Sequence, residues 1–200
     1  MTERTNLQER FVTVQLTLLS IVVALILESL LGVLFQLEQW SLLVMVQSAD
    51  VLTSALAMWI GFALGIAAAD KTPHIMDFLG PFALLITLNL AVRYIATEQF
   101  VGFLLSGAAA STTAAASLWL DSRAARRIGK QGPDTTIRLL VAVALIEATI
   151  ALLLLSGIIT TAIGIALLMV STAIQIFGVA RSIHFWQLSL TPTAAVTEDS

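Results

Sequence analysis

Four ionisable side chains interrupt long apolar runs of this chain: Glu28, Asp50, Arg93 and Glu147. Glu28 stands among Leu25, Ile26, Leu27, Leu30 and Leu31, and Glu147 among Val143, Ala144, Leu145, Ile146 and Ile150, so neither can be moved into a loop. A charged group at the centre of a bilayer costs about 2.5–3.5 kcal/mol on insertion scales, and something must offset it. Sheltered carboxyl groups do so by taking up a proton, holding a cation or pairing with a base, which is the chemistry of ion and proton pathways. Gln15, Gln47, Asn89 and Gln175 are amide residues in the same runs that could keep these groups company.

The elements that would have to position these groups follow from composition. Of 200 residues, 58% are hydrophobic and 12% charged, and the mean hydropathy is +0.95. An ordinary soluble domain is about 45–50% apolar and about 25% charged, so water is not the solvent for this fold. Backbone polar groups in lipid must be satisfied within the spanning segment, and the runs are too long and continuous for barrel strands. The sequence therefore predicts an all-α polytopic membrane helix bundle with six transmembrane helices. The spans are expected near Phe11–Phe35, Leu42–Ala69, Phe78–Ala96, Phe100–Leu120, Leu139–Ile158 and Thr160–Ala180. The one long polar loop is expected at Asp121–Arg138. The second block is longer than a bilayer needs, so either its helix is tilted or Ser41–Ser48 forms an interfacial piece before the true span, which leaves the depth of Asp50 open.

Cationic residues near helix ends are retained on the cytoplasmic side. Arg4, Arg10, Lys71, Arg123, Arg126, Arg127, Lys130, Arg138 and Arg181 then share one face, with Arg93 alone toward the other. Both termini are expected inside. Residues 1–190 form one domain on this reading, and 191–200 a disordered polar cytoplasmic tail. The start of the chain does not resemble a cleaved signal peptide, so the first helix is expected to stay in the membrane. Halves of three helices each would have opposite topology, as inverted repeats do, but they share no residue-level similarity.

Counting at 1.5 Å per residue from the expected span ends places Glu28 about 10 Å and Arg93 about 5 Å below the outer edge, and Glu147 about 13 Å above the inner one. On this count Glu28, Asp50, Arg93 and Asn89 can form an outer network, and Glu147 has no basic partner at its own level. Two readings fit. In one, Glu28, Asp50 and Glu147, with Gln47, line a path for protons or cations that Arg93 tunes. In the other, Arg93 snorkels to headgroups and the acids are protonated or hydrogen-bonded between helices.

Small residues carry a second signal. Gly61 and Gly65 have GxxxG spacing, and the run from Ser106 to Ser117 includes Gly107 and Ser111. Such surfaces let helix backbones approach, so they are expected to serve helix packing or an oligomer interface. Arg123, Arg126, Arg127 and Lys130 are placed to hold anionic lipid headgroups.

The chain has no cysteine and only two histidines, His74 and His184, and it lacks HExxH, GxSxG and phosphate-cradling glycine motifs. No enzyme activity, metal or cofactor is expected. The leading expectation is a small channel or transporter for protons or cations in a bacterial inner membrane. The alternative is a non-transporting accessory, sensor or assembly subunit. Expected partners are the bilayer and a second copy or another membrane protein, with no nucleic acid.

Overall fold

A computed structural model describes residues 3–68, 76–127 and 134–190. They form six helices: α1 (Glu3–Gln36), α2 (Leu42–Ala68), α3 (Met76–Ala96), α4 (Phe100–Arg127), α5 (Asp134–Leu155) and α6 (Thr161–Leu190). Among the described residues there are no strands, and each helix contains a stretch long and apolar enough to cross a membrane. The protein is an integral membrane helix bundle.

The helices close a ring in the order α1, α2, α6, α5, α4, α3 and back to α1, and α2 also touches α3 and α4 across the interior. The halves pack differently: α1 meets α3, whereas their counterparts α4 and α6 make no comparable contact among the described residues. Buried Leu19, Ile26, Val51, Ala55, Leu88, Ile95, Phe103, Leu104, Ile150 and Leu168 form the common core. Large apolar side chains such as Leu25, Ile86, Leu145 and Met169 point outward, as lipid-facing residues do.

Three local features set the depth and neighbours of the polar residues. Ser41 Oγ accepts from the Val44 amide at 3.2 Å, an N-cap that starts α2 at Leu42 as one continuous helix. The open question about Ser41–Ser48 closes in favour of a single span. Glu98 (φ 55°) and Gly157 (φ 68°) adopt left-handed conformations that end α3 and α5, so each can turn back at once into the next helix. Gly157 does so without the penalty that a Cβ carries there.

The loop expected at Asp121–Arg138 is shorter than its charges suggested. α4 runs on through Arg127 and α5 begins at Asp134. Arg and Ala are strong helix formers, and an acidic residue at a helix start is favoured by the dipole, so charge marks here where the membrane ends rather than where the helix does. α6 likewise continues to Leu190. The tail expected at 191–200 and the loop residue Lys130 lie outside the described residues.

Candidate functional site

Asp50 and Glu147 sit at one level of the bundle. Asp50 is eight residues after Leu42 and Glu147 eight before Leu155. Since α2 begins and α5 ends at the same end of the bundle, each carboxyl group lies about 12 Å in from it. Glu147 was measured in the sequence from a span start at Leu139; measured from Leu155, where α5 ends, its depth is the depth of Asp50.

Both acids are shut away, Asp50 at 2% exposure and Glu147 at 1%. α6 joins them. The Gln175 amide nitrogen lies 3.4 Å from Asp50 Oδ1 and 3.4 Å from Glu147 Oε1, two long hydrogen bonds that use its two protons. Ser54 Oγ, one turn after Asp50 on α2, donates to Gln175 Oε1 at 3.0 Å and so fixes which way the amide faces. Thr172 Oγ1 lies 2.8 Å from Asp50 Oδ1 and 3.0 Å from the Leu168 carbonyl; its single proton serves one or the other. Ser171 Oγ donates to Glu147 Oε1 at 3.4 Å.

Glu147 Oε2 has no hydrogen-bond partner. It faces Gly107 of α4, where a Cβ would come within 2.7 Å of it. The site is thus built from four helices: acids from α2 and α5, an amide and two hydroxyls from α6, and a bare backbone from α4. All its ligand atoms except the amide nitrogen are oxygens, a hard donor set suited to protons, small cations or ammonium groups. Among the described residues no cationic side chain pairs with either acid.

Below this cluster, away from the end where α2 begins, lies a cavity of about 70 Å³. Gln175, Ser54 and Ser111 stand at its upper end and Thr136, near the start of α5, at its lower one. Between these ends its described walls are apolar or bare backbone, including Leu88, Ala110, Leu139 and Gly178. Gly61 opens onto it, with nothing within 4 Å of where a Cβ would stand.

The other residues singled out in the sequence lie elsewhere. Glu28 is on the exposed face of α1 and Arg93 on that of α3, and neither forms an ion pair among the described residues. Asn89 donates to the Leu85 carbonyl of its own helix at 2.9 Å. Gln47, one turn before Asp50, is buried with its amide nitrogen unpartnered. Ser111 is buried within the bundle; Gly65 lies in α2, beyond the side chains that are described. Arg123 stacks on Trp119 with Cζ 4.4 Å from the ring centroid, while Arg126 and Arg127 are described only as backbone of α4.

Ser54, Ser171 and Thr172 were not singled out by sequence reasoning. Their signal was spacing: Ser54 lies four residues after Asp50, and Ser171 and Thr172 lie one turn before Gln175, so each shares a helix face with a polar residue already flagged. Comparison of the chain with protein families, curated proteins and solved structures finds no match, and the functional reading rests on this geometry alone.

Proposed function

We propose that this integral membrane protein is a small channel or transporter that moves protons or cations through the Asp50–Glu147 site. The observation that carries this reading is the convergence of two buried carboxyl groups from separate helices on one amide nitrogen, with no cationic side chain paired to them among the described residues. Two acids in hydrocarbon without a base need positive charge from outside the chain, as protons or as bound cations. A purely structural hydrogen-bond network would not require two carboxyl groups, since amides and hydroxyls hold helices together without that cost.

The accessory-subunit alternative drew on the small-residue face of α4. Gly107 and Ser111 of that face are buried inside the bundle, which leaves less of it for a partner. The basic residues near the ends of α4 and α6 favour termini on the cytoplasmic side, and a bacterial inner membrane fits the short connections.

The test is flux in liposomes carrying an internal pH dye or a cation indicator, with Asp50→Asn and Glu147→Gln as comparisons. The expected result is flux in the parent that falls at least about tenfold in both variants. No flux in a folded parent, or full flux in both variants, rejects the reading.

A further inference from the structure

Resting on the cation reading of the Asp50–Glu147 site, the geometry points to a substrate class: we infer that cavity and acid pair form one site for a short primary aliphatic ammonium ion. Its nitrogen would take the place now held by the Gln175 amide nitrogen, and its chain would lie in the cavity.

Three observations converge on that class. Among the described residues the cavity walls carry no charged side chain, and between Gln175 and Thr136 they are largely hydrocarbon. A bare inorganic cation would have to shed its water along such a wall, which is costly, whereas an alkyl chain gains by leaving water there. The polar end of the cavity is Gln175, whose nitrogen already sits between the two acids as a donor. A primary ammonium carries three donors in place of the two of an amide, and Glu147 Oε2 is the buried acceptor that lacks one. Size follows from volume: at about 10–15 Å³ per water-sized sphere, a cavity of about 70 Å³ holds on the order of five non-hydrogen atoms. The four-carbon chain of n-butylammonium fits within it, with the nitrogen beyond it at the acids.

For the ammonium to reach the acids, the Gln175 side chain must swing aside. Its hold is light: one hydrogen bond from Ser54 and two contacts of 3.4 Å. Ser54 and Ser111 remain to face the polar end of the ligand. The small residues of the wall, Ala57, Gly61, Ala110 and Gly178, are what leave the space open.

The experiment measures thermal unfolding of the full chain in lipid nanodiscs by tryptophan fluorescence. It titrates n-butylammonium chloride, butan-1-ol and sodium chloride separately, at constant ionic strength held with potassium chloride. The expected result is saturable stabilisation by n-butylammonium, with half-saturation at least about tenfold higher in Glu147→Gln and in Asp50→Asn. Gly61→Leu, which fills the cavity and keeps both acids, is expected to weaken n-butylammonium similarly, and it serves where an acid variant does not fold. Equal stabilisation by butan-1-ol, or an effect that survives all three variants, overturns the inference. Acid-dependent stabilisation by sodium without any by n-butylammonium overturns this substrate class and leaves the cation reading standing. No acid-dependent effect of either ion, together with absent flux in liposomes, defeats both.

Discussion

The carboxyl group of Glu147 rests directly on the backbone of Gly107, so closely that a Cβ at residue 107 would lie 2.7 Å from Oε2 and 3.2 Å from Cδ. A helix of small residues is here less a general packing surface than the wall of a carboxyl-binding niche.

Gly107→Ala is therefore expected to push Glu147 off its position. The neighbour is the end of a flexible side chain, so the bundle can survive by rotating it, but Oε1 would leave Ser171 and Gln175. Flux is predicted to fall toward that of Glu147→Gln, while stability changes little, because the loss of two weak interhelical hydrogen bonds at about 0.6 kcal/mol each is offset by the roughly 0.8–1 kcal/mol that alanine gains over glycine in a helix. Flux assays and unfolding midpoints on one preparation check this. Unchanged flux would show that Glu147 need not stand where it does.

At Gly61 the same gain should come without a matching loss. Nothing lies within 4 Å of a Cβ at this position, and alanine is a better helix former than glycine by roughly 0.8–1 kcal/mol. Gly61→Ala is expected to raise the unfolding midpoint without loss of assembly. Destabilisation would mean that the cavity beside Gly61 is filled or closed in the working protein.

Thr172→Val keeps the shape of the residue and removes the 2.8 Å hydrogen bond to Asp50. Interhelical hydrogen bonds in membranes average about 0.6 kcal/mol and reach about 1.7, so stability should drop only modestly. Asp50 would lose its shortest partner, and flux is predicted to change more than stability does. Ser171→Ala, which removes a contact of 3.4 Å, should be milder in both measurements.

What could be read in advance, and what could not, divides along one physical line. Span number and position were legible because continuous apolar runs report thickness directly. Which way each helix faces was not. A membrane helix is apolar all round, so the periodic contrast that marks the inner face of a soluble helix is missing. Glu28 and Glu147 have nearly identical neighbours in sequence, yet one is exposed and the other buried at 1%. Asp50 was obscured for another reason: the second apolar block is longer than a bilayer needs, so its first turns could have been an interfacial segment, and the Ser41 cap that makes α2 continuous is a matter of geometry. The meeting of Asp50 with Glu147 required the true ends of α2 and α5 on one side of the bundle, where Leu42 and Leu155 put the two acids at one depth, whereas a count from the expected start at Leu139 referred Glu147 to the opposite side.

Glu28 provides the sharpest contrast. It lies on the exposed face of α1, with no ion pair among the described residues, eight residues before Gln36 and so about 12 Å from the same end as the buried acids. Depth alone cannot distinguish it from them; only direction can. If the path runs through the interior, Glu28→Gln should leave flux at the parental level. Replacing a carboxyl group by an uncharged amide on a lipid-exposed face removes a cost and breaks no internal contact, so stability should stay level or rise slightly. Flux and unfolding of Glu28→Gln beside Glu147→Gln decide the matter. A fall in flux equal to that of Glu147→Gln would put the outer face of α1 in the pathway, either along the lipid boundary or between copies of the chain, and would require the site to be redrawn around it.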